Sequence, residues 1–333
     1  MERPAVWACR VANRSTSARS AGFGGGAALT AHVTKRSLIA KFISLSESAV
    51  VTTGENLPPI TDTRRNVDHY LTTDGARLRY RDDGSGPPVL MVHGWTLDLE
   101  MWEPQVEALR DSFRLIRFDR RGFGLSSGRP SVVQDIADIG SLCEHLAIGR
   151  VALVGMSQGV RVVMGFARAA PDRISCLILD GPPGQSHEPS SADGDVPLGH
   201  YRAVVRERGV AAFRREWAAH PLLSLRTEDP RMREILGAMI MRYPANDLLE
   251  PAVTAGVPPS SSLMSTIDGP VLVITGDHDL ASRTRAAETL AEQSTNAERA
   301  VIQAAGHLPN LDNPKDYNAV VRAFLERHTV PRR

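Results

Sequence analysis

The sequence has few cysteines and no long apolar run, and each absence excludes a class of protein. Its three cysteines, Cys9, Cys143 and Cys176, lie far apart in 333 residues, which supports neither a disulfide framework nor a zinc site. Cys143 and Cys176 stand among apolar residues, so we expect buried, reduced thiols of the kind found in cytoplasmic proteins. No stretch approaches the roughly 18 apolar residues that a membrane helix needs.

Excess charge of one sign is also missing. The formal net charge is +1 at pH 7, which argues against a protein that binds nucleic acid or an anionic membrane. Residues 1–46 nevertheless contain seven basic side chains and one acidic side chain, and residues 1–66 show no sustained hydrophobic periodicity. We therefore expect residues 1–66 to be an N-terminal extension that is disordered or directs targeting. Organelle targeting by this extension is the alternative to a cytoplasmic location.

The most informative stretch is residues 151–164. Its first four residues are apolar and predict a buried strand, and the apolar residues after Gly159 recur at helical spacing. Between them lies Gly155-Met-Ser157-Gln-Gly159, the Gly-x-Ser-x-Gly pattern of a nucleophile elbow. A serine on such a strained turn projects its hydroxyl clear of the sheet, and the two glycines allow strand and helix to approach closely. Ser157 is therefore the predicted nucleophile.

Strands and helices alternate along much of the remaining chain. A hairpin is expected around Asp74-Gly75, and further strands at 88–93, 113–119, 174–180, 271–275 and 299–303. Helices are expected at 97–109, 133–146, 283–293 and 315–328, besides the helix after Ser157. This alternation predicts an α/β fold with a largely parallel sheet.

Between residues 185 and 266 the alternation stops, and helical segments at 198–219 and 229–243 are separated by prolines. We expect a helical cap over 185–266, inserted into a core made of 67–184 and 267–333. Four large apolar residues are expected to lie mostly in the cap core, with one or two facing a ligand: Trp217, Leu222, Met239 and Met241.

These features resemble the α/β-hydrolases over residues 67–330, in particular the branch of small serine esterases and cofactor-free haloperoxidases or perhydrolases. That branch carries His-Gly-Trp after its third strand, here His93-Gly94-Trp95, and Asp-Arg-Arg-Gly-Phe-Gly after its fourth, here 119–124. The resemblance implies a mostly parallel eight-stranded sheet flanked by helices, with a small helical cap after strand 6. Val160 departs from the pattern, since relatives commonly have a glycine there, and we expect this to alter helix packing more than chemistry.

The resemblance also implies the other catalytic residues. The family's acid typically ends a Gly-x-x-Asp after the seventh strand, here Asp279, and its base follows the last strand in a Gly-His pair, here His307. The implied triad is Ser157, Asp279 and His307, in the chain order usual for this fold. Each of the three follows a predicted strand, and the carboxyl ends of parallel strands meet at one edge of a sheet.

The backbone N–H groups of Trp95 and Gln158 are expected to form the oxyanion hole, with Gly94 as a turn glycine beside it. Gly155 and Gly159 are the corresponding glycines of the elbow. His93 is expected to be a structural hydrogen-bonding residue below this loop rather than the base.

Other residues compete for these roles. Asp180 ends the sixth strand and is an alternative acid, because some relatives carry their acid there. A metal site at Asp277-His278-Asp279 is disfavoured, because three adjacent residues do not easily converge on one ion. We expect Asp277 and His278 to be loop neighbours, and Arg120 and Arg121 to be solvated or ion-paired.

The expected function is hydrolysis of a small-molecule carboxylic ester through an acyl-enzyme, with no metal or organic cofactor. Cleavage of a lactone or a C–C bond and perhydrolysis at the same triad stay open. A non-catalytic ligand receptor on this fold and an interaction protein that recruits partners through residues 1–66 are alternatives of other classes. A serine nucleophile argues against dehalogenase and epoxide-hydrolase chemistry.

Overall fold

The structure is a computed structural model that describes residues 67–184, 196–250 and 260–329. These residues belong to one compact unit, Ile60–Arg333. The predicted N-terminal extension at 1–66 and the first part of the predicted cap, 185–195, lie outside the described residues. Within the part that is described, no helix combines the length and apolarity needed to cross a membrane.

In the part of the chain that the structure describes, eight strands form one mostly parallel sheet. They are β1 His69–Thr73, β2 Ala76–Asp83, β3 Pro88–Val92, β4 Arg114–Phe118, β5 Val151–Met156, β6 Ile174–Asp180, β7 Val271–Gly276 and β8 Ala297–Ile302. Their order across the sheet is β1-β2-β4-β3-β5-β6-β7-β8, and β2 pairs antiparallel with both β1 and β4. From β3 the chain continues to β4 on one side, and from β5 it continues to β6 on the other, so the strand order reverses between β3 and β5. Open parallel sheets bind ligands at such a reversal.

Helices cover both faces of the sheet. The core helices are α1 Glu103–Leu109, α2 Val132–His145, α3 Gln158–Ala169, α9 Ala281–Glu292, α10 Pro309–Asp312 and α11 Pro314–Thr329. The described residues between β6 and β7 form five helices: α4 Leu198–Arg208, α5 Val210–Ala218, α6 Pro230–Arg242, α7 Asn246–Leu249 and α8 Ser260–Met264. The predicted fold, a mostly parallel sheet with a helical cap after its sixth strand, is confirmed.

The side chains of β5 show why its sequence is apolar throughout. All six residues of β5 are buried. Ala152, Val154 and Met156 pack into the apolar layer shared with α1, α11 and the cap. Val151 and Leu153 pack into the opposite layer, with α2, α3 and α9. A central parallel strand is therefore covered on both faces, so it needs apolar residues at every position.

Two local predictions differ from the structure. The helix expected at 97–109 begins only at Glu103, after a 3₁₀ turn at Leu99–Trp102 in which the Asp98 side chain accepts from the Glu100 N–H. Met241, expected in the cap core, is 63% exposed, because the buried face of α6 is formed by Met232, Leu236, Met239 and Ile240. The other three predicted cap residues, Trp217, Leu222 and Met239, are buried.

The cysteine prediction holds for the two described residues. Cys143 and Cys176 are free and buried. Burial raises the pKa of the Cys143 thiol to about 11 and that of the Cys176 thiol to about 12. Both thiols are therefore protonated and unreactive at neutral pH.

Candidate active site

Ser157 lies on a sharp turn between β5 and α3. Its backbone has φ 51° and ψ −115°, a region that non-glycine residues occupy only under strain. Its N–H donates to the Asp180 carbonyl oxygen over 2.8 Å. A Cβ atom on Gly155 would lie 2.6 Å from the Gly159 carbonyl oxygen, and one on Gly159 would lie 2.4 Å from the Val92 carbonyl oxygen. The turn therefore requires glycine at both positions.

His307 and Asp279 form a hydrogen-bonded pair. His307 Nδ1 lies 3.1 Å from Asp279 Oδ1 and 3.0 Å from Asp279 Oδ2. The Asp279 carboxyl group is fully buried, and its Oδ1 also accepts a bond from the Leu280 N–H over 2.7 Å. The imidazole packs against Gly181, where a Cβ atom would lie 2.8 Å from His307 Cε1. No motif singles out Gly181 in the sequence, and the structure shows that it makes room for the histidine.

The loops that carry this pair are joined to each other. His278 N–H donates to the Ala305 carbonyl oxygen over 2.9 Å, and Ala305 N–H donates to Asp277 Oδ1 over 3.0 Å. Burial opposes ionisation of Asp277, but the bonds from Ala305 and His278 outweigh it and lower its pKa to about 2. Both residues lie in the loop, as expected, and the Asp277 carboxylate also joins this loop to the one that carries His307.

Ser157 and His307 line the same small cavity, which offers about 30 Å³ to water-sized molecules. The described residues that line it with them are mostly apolar: Trp95, Leu97, Met156, Val196, Trp217, Leu222, Leu223, Arg283 and Leu308. Two of the predicted cap residues, Trp217 and Leu222, therefore face the cavity, which agrees with the expectation that one or two would do so.

The loop after β3 passes directly beside Ser157. A Cβ atom on Gly94 would lie 2.7 Å from Met156 Sδ and 3.3 Å from Ser157 Cβ. The buried His93 holds this loop, since its Nδ1–H donates to the Gly94 carbonyl oxygen over 2.7 Å and its Nε2 accepts from the Arg120 N–H over 2.9 Å. Burial and the charge of Arg120 lower the pKa of His93 to about 3, so its imidazole is neutral. His93 has the structural position expected of it.

Arg120 also contacts the residue that follows the serine. Its Nη1 donates to Gln158 Oε1 over 2.8 Å, and its Nε donates to Asp135 over 2.8 Å. Arg121 pairs in the same way with Asp138. Both arginines are buried and ion-paired, one of the two states predicted for them.

Asp180, the alternative acid, is the last residue of β6, whereas the hydrogen bonds of His307 Nδ1 are to Asp279. Among the described residues, none makes a hydrogen bond of normal geometry to either Asp180 carboxyl oxygen, although the Tyr317 hydroxyl lies beside it. Complete burial and the charge of Asp279 raise the pKa of Asp180 well above its usual value. This shift favours the uncharged form of Asp180, which stabilises an imidazolium less well than a carboxylate does.

The helical cap contacts the loop after β3 through two indole groups. Trp95 Nε1 donates to Asp247 Oδ2 over 2.6 Å, and Trp217 Nε1 donates to Thr96 Oγ1 over 2.6 Å. The Trp95 and Trp217 rings meet edge to face with centroids 4.8 Å apart. Sequence reasoning missed Asp247, since a lone aspartate in a helical segment carries no motif.

Comparison with known proteins agrees with this architecture. The alpha/beta hydrolase fold family model matches residues 87–314. A putative 2-succinyl-6-hydroxy-2,4-cyclohexadiene-1-carboxylate synthase of Bacillus subtilis is 28% identical over 77% of this chain and 97% of its own length. A putative non-heme chloroperoxidase of Synechocystis sp. is 27% identical over 75% of this chain and 95% of its own.

Among solved structures, a thermophilic esterase from Thermogutta terrifontis, described as malate bound, superposes with a TM-score of 0.68. It is 30% identical and covers 79% of this chain and 100% of its own. The match of the family model spans the strands that carry Ser157, Asp279 and His307. The chain therefore belongs to the α/β-hydrolase fold family and is a hydrolase of that family.

Proposed function

We propose that the protein hydrolyses carboxylic esters of small molecules through an acyl-enzyme, with Ser157, His307 and Asp279 as its catalytic triad. The observation that carries the proposal is the His307–Asp279 hydrogen bond at the edge of a cavity that Ser157 also lines. A nucleophile, a base and a buried acid that orients the base are the components that serine acyl transfer needs.

In the first half-reaction, Ser157 Oγ attacks the acyl carbon and passes its proton to His307. Asp279 accepts the Nδ1–H of His307, which leaves Nε2 as the basic nitrogen and stabilises the imidazolium that forms. His307 then protonates the leaving alcohol. In the second half-reaction His307 activates a water molecule, which releases the acid and restores the Ser157 hydroxyl.

The tetrahedral intermediate carries a negative charge that needs hydrogen-bond donors. We assign the backbone N–H groups of Trp95 and Gln158 to this role. Gln158 begins α3, so its N–H lies at the positive end of the helix dipole. Gly94 brings the loop that carries Trp95 against Ser157. Removal of one such donor in other enzymes costs about 3 kcal/mol of transition-state stabilisation.

Perhydrolysis is the second candidate, because a putative non-heme chloroperoxidase aligns over 95% of its length with this chain. It uses the same acyl-enzyme and differs only in whether peroxide or water attacks it. Adding hydrogen peroxide and a halogenation indicator to the ester assay distinguishes the two reactions.

A series of p-nitrophenyl esters from acetate to palmitate, assayed with wild-type protein and Ser157→Ala, tests the main proposal. We expect turnover by the wild type and its loss by several orders of magnitude in the variant, with an unchanged circular dichroism spectrum. Activity retained by Ser157→Ala would exclude the triad. If folded wild-type protein turns over none of the esters, lactone or C–C substrates and the ligand-receptor alternative gain support.

A further inference from the structure

Asp312 accepts hydrogen bonds from two segments that are far apart in the chain. It is the last residue of α10, and its side chain is buried. Its Oδ2 accepts from the Gly306 N–H over 2.7 Å. Its Oδ1 accepts from the N–H of Arg226 and, over 3.1 Å, from the N–H of Thr227. One carboxylate therefore joins the loop that carries His307 to a segment of the cap.

The bond to Gly306 acts directly beside the proposed base, because Gly306 precedes His307 in the chain. A Cβ atom on Gly306 would lie 3.3 Å from the Ser224 carbonyl oxygen and 3.4 Å from Asp312 Oδ2. The cap segment thus packs against the backbone of this loop as well as sharing a hydrogen-bond acceptor with it.

Part of the loop is strained, so its conformation needs support. Ala304 has φ 54°, in the left-handed region that non-glycine residues rarely adopt. The Ala305 N–H donates to Asp277 Oδ1 over 3.0 Å. The Gly306 N–H, which is the next one along the chain, donates to Asp312. Hydrogen bonds from N–H groups to carboxylates are stronger than neutral ones, so two charged acceptors hold the loop.

Asp312 is itself anchored to the sheet domain through its own short helix. Asn310 of α10 is buried, and its Nδ2 donates to the Met101 carbonyl oxygen over 2.9 Å. The carbonyl oxygen of Asn310 accepts from Gln105 Nε2, in α1, over 3.0 Å. A side chain on a fixed element can hold a neighbouring loop in a precise geometry.

The cap segment that Asp312 holds also forms part of the cavity wall. Leu222 and Leu223 line the cavity together with Ser157 and His307. The N–H groups of the cap that donate to Asp312 follow these leucines by a few residues in the chain. The same carboxylate therefore fixes both a part of the cavity wall and the loop of the base.

We propose that Asp312 is a positioning residue for the catalytic base, and that it makes the position of His307 depend on the seating of the cap. A carboxylate accepts on both oxygens at once, so it can hold the two segments in one geometry. A misplacement of about 1 Å can lower the rate of an enzyme by about 100-fold. The role of His307 as base rests on the proposed function, whereas the connection rests on the hydrogen bonds to Asp312.

Asp312→Asn tests the connection while it preserves the size of the side chain. An amide has one accepting oxygen and its NH₂ group cannot accept, so the variant loses either the bond from Gly306 or the bonds from the cap. With p-nitrophenyl acetate we expect kcat to fall by about 10- to 100-fold, because both half-reactions need His307 in place. KM is expected to stay within about threefold of the wild type. A raised KM with an unchanged kcat would overturn the proposal.

Asp316→Asn is the matched control. Asp316 is exposed in the first turn of α11, and its Oδ2 accepts from Asn313 Nδ2 over 2.9 Å. The same substitution there removes a negative charge close to Asp312 in the chain without breaking the link between the cap and the loop of the base. We expect its kcat to equal that of the wild type. A loss of kcat as large as that of Asp312→Asn would refute the positioning role, since loss of charge alone would explain both.

Gly306→Ala tests the same contact from the other side and does not depend on the folding of Asp312→Asn. Its Cβ atom would lie 3.3 Å from the Ser224 carbonyl oxygen, so the cap segment and the loop must move apart slightly. We expect kcat to fall by about threefold or more at an unchanged KM. A kcat equal to that of the wild type would contradict the proposal.

Proton NMR of the full chain gives a readout that does not require turnover. The Nδ1–H of His307 donates to Asp279, and the far-downfield resonance of such a proton is assigned by its absence in His307→Gln. We expect Asp312→Asn to shift or broaden this resonance and Asp316→Asn to leave it unchanged. An unchanged resonance in Asp312→Asn would overturn the proposal.

The two kinds of readout also separate this proposal from the proposed function. A resonance that responds to Asp312→Asn in a protein that hydrolyses no ester would refute the proposed reaction and support the positioning of His307. Ser157-dependent ester hydrolysis whose kcat does not respond to Asp312→Asn would support the reaction and refute the positioning.

Discussion

The indole N–H of Trp95 donates to the carboxylate of Asp247 over 2.6 Å, across the boundary between the sheet domain and the cap. Trp95 is in the loop after β3, and Asp247 belongs to the short helix α7. The second carboxylate oxygen of Asp247 accepts a hydrogen bond from the Tyr243 hydroxyl. The cap thus holds, through a charged acceptor, the loop to which we assign an oxyanion-hole N–H group.

A double-mutant cycle measures this contact. Trp95→Phe removes the donor, and Asp247→Ala removes the acceptor. Each single substitution already breaks the hydrogen bond, so the double variant has no second bond to lose. We therefore expect the effects on the free energy of unfolding in urea to be non-additive, with a coupling free energy of about 1–3 kcal/mol. Pairing Trp95→Phe with Asp111→Ala, whose side chain is 87% exposed, should give additive effects. Additivity in the Trp95–Asp247 cycle as well would contradict the contact.

Substitution of the two candidate acids distinguishes them. Asp279→Asn cannot orient His307 or stabilise its imidazolium, so we expect kcat for the best p-nitrophenyl ester to fall by several orders of magnitude. Asp180→Asn preserves the shape of a side chain to which we assign no catalytic role, so its kcat is expected to stay within about tenfold of the wild type. The opposite order of effects would make Asp180 the catalytic acid.

The buried Asp180 should also make stability depend on pH. Its pKa in the folded protein is well above the value of about 3.9 expected in the unfolded chain, so the folded state retains a proton that the unfolded state releases. The contribution of Asp180 to stability therefore decreases as the pH rises above about 4, and this decrease continues up to the folded pKa. We expect Asp180→Asn to gain in unfolding free energy relative to the wild type as the pH rises from about 4 to 8. A difference that is constant with pH would show that Asp180 ionises normally.

Glycine substitutions test the packing of the elbow. Gly159→Ala places a Cβ atom 2.4 Å from the Val92 carbonyl oxygen, so we expect it to lower the free energy of unfolding by about 1–3 kcal/mol or more, and to reduce activity. Gly237→Ala is the matched control, because Gly237 lies within α6 and no atom is found within 4 Å of its added Cβ. This control should raise stability by about 0.5–1 kcal/mol, since alanine favours helix. Equal effects of the two substitutions would contradict the close approach at Gly159.

Much of the fold is predictable because its signals are local. The β6 strand was predicted with the bounds that the structure shows, Ile174–Asp180, because a continuous apolar run ends at a turn of glycine and proline. Gly155 and Gly159 predict the elbow because a side chain at either position would clash. The clash would be with residues close to Ser157 in the chain or with the neighbouring strand. The burial of Met241 in the cap was predicted wrongly, because adjacent residues of a helix can face opposite sides. Met241 is exposed, whereas its neighbour Ile240 is buried.

The choice between the two candidate acids could not be made from local sequence patterns. Asp180 ends one buried strand and Asp279 follows another, and the sequence assigned the role to Asp279 only through its resemblance to a family. The distances of 3.0 and 3.1 Å from His307 Nδ1 to the Asp279 oxygens support the assignment of Asp279, and they come from the tertiary structure alone.

The sequence by itself determined the alternation of strands and helices, the strained serine turn and the order of the candidate catalytic residues along the chain. The tertiary structure alone placed Asp247 against Trp95, Gly181 against His307 and Arg283 in the wall of the cavity. The physical reason is that periodicity and turn chemistry act between residues close in the chain. Contacts between side chains more than a hundred residues apart depend instead on how the sheet, its crossing helices and the cap pack together.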